Sequence, residues 1–127
     1  MNKVEYWIHK NIDDGKRIQL IIAGSGDMSF IIPVEGFKKF VSELAKFNGE
    51  YIDIELGDEI TISIEADRSI TPHEMNLSFF MNIGGYSMCT TFHGLVSDIH
   101  DMANNLAGEM NRTDGSYDTF KFKYDVI

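Results

Sequence analysis

Between residues 50 and 67 the chain alternates isoleucine with acids and small polar residues. It reads Tyr51-Ile52-Asp53-Ile54-Glu55-Leu56 and then Glu59-Ile60-Thr61-Ile62-Ser63-Ile64-Glu65. A period of two belongs to a β-strand, whose successive side chains point to opposite faces. Ile52, Ile54 and Leu56 therefore line one face and Asp53 and Glu55 the other. Gly57-Asp58 separates the two runs as the two-residue turn of a hairpin. The segment predicts a half-buried hairpin with carboxylates on its outer side.

The same punctuation organises the rest of the chain. Residues 4–12 read as a strand that turns at Asp13-Asp14-Gly15, and residues 17–23 return. Gly24-Ser25-Gly26-Asp27 is a second turn, followed by a third strand over residues 28–33. After Pro33, Glu35 stands where a helix dipole favours an acid, and Phe37, Phe40, Val41, Leu44 and Phe47 recur near the helical period until Asn48-Gly49. Residues 75–83 and 86–92 pair across Gly84-Gly85, with residues 69–73 as the loop before them. Leu77, Phe79, Met81 and Ile83 face one way; Ser78, Phe80 and Asn82 face the other, which leaves Phe80 partly exposed or covered by another element. A second helix begins near Leu95, with a stripe of Val96, Ile99, Met102, Ala103, Leu106 and Met110. A polar loop over residues 111–116 leads to a last strand, residues 117–126. The order is βββ-α-ββββ-α-β. Strand runs joined by tight turns predict an α+β fold, an antiparallel β-sheet with two amphipathic helices packed on one face, formed by residues 1–127 as a single domain. Ile60, Ile62, Ile64, Leu77, Phe79, Met81, Ile99 and Leu106 should share its core.

Twenty Asp and Glu stand against eleven Lys and Arg, a net charge of −9. Phosphate binding needs clustered basic residues, and here Lys38-Lys39, Arg68, Lys121 and Lys123 are dispersed, so a nucleic-acid binder is not expected. An acidic surface repels anions and attracts basic surfaces; in its plainest role it keeps a small protein soluble. A lone cysteine, Cys89, allows no internal disulfide and favours a reducing compartment. No signal peptide is visible at the start, and the longest apolar stretches are too short to span a bilayer. A cytoplasmic location and no membrane association are expected.

No residue constellation points to catalysis. His93, Asp98, His100 and Asp101 are close in sequence, yet no pair has the His-x-x-x-His spacing of helical zinc sites. His100 and Asp101 lie off the helical stripe and should face solvent. Cys89 and His93, four residues apart on one strand, share a face but sit roughly 13 Å apart, too far for a nucleophile–base hydrogen bond. Cys89 reads as a small buried or half-buried hydrophobe. Gly24-Ser25-Gly26 lacks the Lys-Ser/Thr of a phosphate loop and precedes a strand, not a helix. Asp53 and Glu55 could pair on a divalent cation, but no EF-hand spacing is present. Neither metal nor cofactor is expected.

From about residue 48 to residue 110 the pattern is a Gly-bounded strand, an acidic turn, the strand ITISIEADRS, a long hairpin carrying aromatic residues, and a helix, LVSDIHDMANNLAGEM. This resembles the small immunity proteins that protect bacteria from polymorphic toxins, including wall-associated and contact-dependent ones. The resemblance implies a cytoplasmic, non-catalytic inhibitor whose partner is a toxin domain, with no catalytic residue to carry over. The charge pattern fits a basic partner, a nuclease domain among them, bound through Asp53, Glu55, Asp58, Glu59, Glu65 and Asp67. Two other classes fit the same sequence: an acidic phage-type inhibitor that mimics nucleic-acid charge, and a small ligand-binding or enzymatic α+β domain with its site between sheet and helices.

Overall fold

A computed structural model describes residues 2–57, 59–67, 75–110 and 117–124. The elements follow the order read from the sequence: β1 (Asn2–Ile12), β2 (Arg17–Ala23), β3 (Asp27–Pro33), α1 (Val34–Leu44), β4 (Tyr51–Glu55), β5 (Ile60–Asp67), β6 (Met75–Ile83), β7 (Tyr86–Gly94), α2 (Val96–Met110) and β8 (Tyr117–Tyr124). The fold is α+β. Its eight strands divide into two antiparallel four-stranded sheets, ordered β3-β2-β1-β8 and β4-β5-β6-β7. The last strand thus returns to the first, with Asn2 opposite Tyr124 and His9 opposite Tyr117.

Alternation decides which side of each strand is buried. Tyr6 and Ile8 on β1, Ile18, Leu20 and Ile22 on β2, and Met28, Phe30 and Ile32 on β3 form the inner face of the first sheet. Ile54, Ile60, Ile62, Ile64, Leu77, Phe79, Met81 and Phe92 form that of the second. All join one hydrophobic cluster with Phe37, Phe40, Val41 and Leu44 of α1 and Ile99, Met102, Ala103 and Leu106 of α2. All eight residues expected to share a core belong to it. Helix α1 packs on α2 and against β2, β3 and β4, and the Phe40 ring meets Phe30 edge-on at 5.6 Å. Under α2 the buried Tyr6 hydroxyl accepts a hydrogen bond from Asn105 Nδ2 at 2.9 Å. Burial pushes its pKa up to about 12, because the phenolate would lose hydration. Lys10 secures the end of the same helix, donating to the Glu109 carbonyl at 2.8 Å and lying 3.6 Å from its buried carboxylate.

Three local features differ from the sequence reading. The first is the end of α1, at Leu44 and not at Asn48-Gly49. Lys46 and Phe47 donate to the carbonyls of Glu43 and Leu44 in tight i→i−3 turns, yet Phe47 remains in the core. The second is the β4–β5 connection. Leu56 N–H bonds Ile60 O at 2.9 Å, so the loop spans residues 57–59, not two residues, and Glu59 takes the left-handed conformation with φ 62°. The third is Asp98, whose Oδ2 accepts the Leu95 N–H at 2.7 Å; its place in sequence beside two histidines reflects a helix cap.

The two sheets meet where the β2–β3 turn closes on β7. Ser25 N–H donates to Thr91 O at 2.9 Å and Thr91 N–H to Ser25 Oγ at 3.1 Å. Thr90, fully buried, accepts the Gly24 N–H and donates to Gly26 O, both at 2.8 Å. A Cβ on Gly24 would lie 2.6 Å from Thr90 Oγ1 and 2.8 Å from Thr91 O, so only glycine fits.

Two stability measurements test this architecture. Phe79→Ala should lose about 3–5 kcal/mol in chemical denaturation, as expected for a fully buried phenylalanine; a loss within error would remove it from the core. Gly24→Ala should destabilise by about 1–3 kcal/mol through overpacking. Gly108→Ala, on the exposed side of α2 with nothing within 4 Å of the added Cβ, should instead stabilise by roughly 0.5–1 kcal/mol. Equal effects of the two glycine variants would contradict the seam.

Candidate functional site

The outer face of the second sheet carries the residues singled out by the sequence. Register places them in rows across the four strands. One row is Tyr51, Glu65, Ser78 and Thr91; the next is Asp53, Ser63, Phe80 and Cys89; a third is Glu55, Thr61, Asn82 and Ser87. Asp67, Asn76 and His93 continue the array. Directly opposed residues on a sheet lie about 4.5–5.5 Å apart at Cβ, so these side chains form a continuous surface. None of them is Lys or Arg.

Of the six residues expected to bind a partner, Asp53, Glu55, Glu65 and Asp67 therefore share one face. Glu59 is exposed in the adjoining turn, its carbonyl accepting the Gly84 N–H at 3.4 Å. Asp58 lies outside the described residues. Asp53 Oδ1 accepts the Ser63 hydroxyl at 2.6 Å, and Tyr51 Oη reaches Ser63 Oγ at 3.4 Å. Among the described residues no Lys or Arg lies within ion-pair distance of Asp53, Glu55 or Glu65. Lys38 of α1 pairs with Glu35 and Lys46, just past the helix, with Glu43, while Lys39 donates to the Glu55 carbonyl at the border of this face. Carboxylates gathered in this way repel one another, and a cation brought among them relieves that repulsion.

Beside Glu65 lies a depression of about 470 Å³ lined also by Tyr51, Ser63, Phe80, Asn82, Ser87 and Cys89, among others. Phe80 is 38% exposed and Tyr51 56%, so two aromatic faces open to solvent beside Glu65 and Asp53. Asn82 Oδ1 accepts the Ser87 hydroxyl at 2.6 Å, and Ser78 and Thr91 bond at 3.1 Å. The lining is thus aromatic and polar, with Met81 and Met88 beside it and, among the described residues, Glu65 as its one carboxylate. It suits a guanidinium or ammonium group that can lie on a ring while pairing with a carboxylate. This depression sits on the outer side of the sheet, away from the helices, and not between sheet and helices.

Sequence reasoning identified the acids and flagged Phe80 but missed the residues that complete the floor. The signal for Phe80 was the doublet Phe79-Phe80, of which only one can point inward. Tyr51 carried a similar sign, an aromatic at the parity of Asp53 and Glu55. Cys89 departs from expectation: it is exposed, because Thr90 and Phe92 take the inward positions of β7. His100 also departs from the solvent-facing place expected for it. It is half-buried, with Nε2 2.8 Å from the Phe47 carbonyl, tying α2 to the end of α1. Among the described residues, no His, Cys, Asp and Glu gather into a group able to hold a metal ion. Nor is any described helix long and apolar enough to cross a membrane.

No protein-family model, curated protein or solved structure matches the chain.

The thiol gives a direct check on the geometry of this face. Cys89 is the chain's one cysteine, so Ellman's reagent should titrate one equivalent in native buffer. Reaction only after denaturant is added would place Cys89 under cover and redraw the floor of the depression.

Proposed function

We propose that this chain is a non-catalytic protein inhibitor, an immunity protein that binds and neutralises a basic toxin domain through the outer face of its second sheet. The observation that carries this reading is the pairing of acids with exposed aromatics on one face. Asp53, Glu55, Glu65 and Asp67 share the outer face with Tyr51 and Phe80, and the rows they form contain no Lys or Arg. Interfaces combine aromatic anchors at the centre with a polar border, and this surface has both. A partner that binds phosphates presents a cationic active site, so an anionic sheet face meets it with favourable long-range attraction and occludes it on contact. Inhibition of this kind needs shape and charge complementarity and no reacting group.

The decisive experiment is kinetic. After affinity capture identifies a basic partner domain, association is measured at low and physiological salt for the wild type and for Asp53→Ala/Glu55→Ala. The double variant should associate about tenfold more slowly at low salt and show a flatter salt dependence, while dissociation changes less. The partner's activity should fall stoichiometrically with added wild-type protein. Unchanged association at both salt concentrations would sink the electrostatic inhibitor.

A further inference from the structure

Among the described residues the two edges of the second sheet differ: β7 is bonded at Thr91 by the β2–β3 turn, and β4 has no strand beside it. On β7 Ser25 bonds both backbone groups of Thr91. The opposite border is β4, the terminal strand of its sheet. Its hydrogen-bonding parity follows from two bonds that bracket it: Leu56 N–H to Ile60 O, and Ala66 N–H to Glu50 O, each 2.9 Å. Bonded and non-bonded pairs alternate along an antiparallel ladder. Ile52 and Ile54 therefore bond to β5, and the N–H and C=O groups of Tyr51, Asp53 and Glu55 point away from the sheet. Lys39 Nζ takes the Glu55 carbonyl at 2.6 Å. The backbone groups of Tyr51 and Asp53 have no partner among the described residues.

An open edge of this kind is a template for one more strand. Charge selects which one. Residues of an added strand that point outward would stand next to Tyr51, Asp53 and Glu55, where Lys or Arg is favoured and an acid disfavoured. Residues pointing inward would cover Ile52, which is only half-buried. A second copy of this chain pairing β4 against β4 would set acids against acids, so self-pairing is disfavoured at the same edge.

We propose that the open edge of β4 receives an extended segment of the partner, alternating basic and apolar residues, as a fifth strand of the second sheet. This rests on the reading of the acidic face as the docking surface and adds main-chain pairing to it. The Tyr51 and Asp53 backbones supply the pairing, the acids supply the selectivity, and Lys39 at Glu55 marks where the added strand ends.

The test uses the full chain and a capped peptide alternating lysine and valine. In an added strand the lysines that face Asp53 turn their own N–H and C=O groups toward β4, so N-methylation of the lysine amides removes the pairing and keeps the charge. Binding of the parent peptide at low salt should slow amide exchange at Tyr51 and Asp53. The N-methylated peptide should bind about tenfold more weakly, the consequence of one or two lost hydrogen bonds. Asp53→Pro removes the edge donor at a position where an edge strand tolerates proline, and it should weaken parent binding about tenfold relative to Asp53→Ala. Equal binding of both peptides with unchanged exchange at Tyr51 and Asp53 would overturn the added strand and leave the acidic face standing. Failure of both peptides to bind at low salt would overturn both.

Discussion

The hydrogen bonds between the β2–β3 turn and β7 are the constraint on which the architecture depends. Two four-stranded sheets, each with an apolar inner face, must be held at a fixed relation if two short helices are to cover both. Thr90 provides that relation. Its hydroxyl is buried at an inward position of β7 and is satisfied by the backbone of Gly24 and Gly26, and a buried hydroxyl without partners would be costly. Ser25 and Thr91 add a second pair of bonds at the edge of the strand. The turn can approach this closely because Gly24 has no Cβ. The seam thus joins the sheets and ends the second one on the β7 side with a single device.

This explains which parts of the fold were legible in the sequence. Side-chain alternation reports faces, so the strands, their inward residues and the acidic outer face could all be read locally. It does not report neighbours. That β8 pairs with β1, and that the strands form two sheets, depends on contacts between segments distant in sequence. The seam bond from Gly24 to Thr90 spans 66 residues. The visible trace of it was a threonine at a position whose parity calls for an apolar side chain. Such a residue marks a backbone it must bond, but not which one. Gly24-Ser25-Gly26 was legible as a turn and silent about its target for the same reason.

The candidate site was legible in its charge and less so in its floor. Asp53, Glu55, Glu65 and Asp67 are fixed to one face by parity alone. The depression needs the register between four strands, which brings Tyr51 beside Glu65 and Phe80 beside Ser63 and Cys89. Cys89 illustrates the difference between a residue's average behaviour and its place. A cysteine is usually buried, yet Thr90 and Phe92 occupy the inward positions of β7 and turn it outward. His100 misled in the opposite sense, because the helical stripe counts only apolar residues. Its ring lies beside the stripe and reaches a carbonyl left free where α1 ends early.

The two borders of the second sheet bear on one another. An exposed strand edge invites association with other chains, and proteins restrain it by covering the edge or charging it. Here one edge is occupied at Thr91, by Ser25, and the other is charged, by Asp53 and Glu55. Covering blocks pairing at the residue it occupies, whereas charging disfavours only strands of the same sign. The acidic border would therefore disfavour a second copy of this chain more than a basic segment. The four outward carboxylates extend the same charge over the sheet face, so in the proposed reading a basic partner would gain at edge and face together. Selectivity of this kind is set by which contacts are repulsive as much as by which are attractive. On this view the carboxylates at β4 and β5 keep the chain from pairing with itself, and the same repulsion leaves the edge available to a partner of opposite charge.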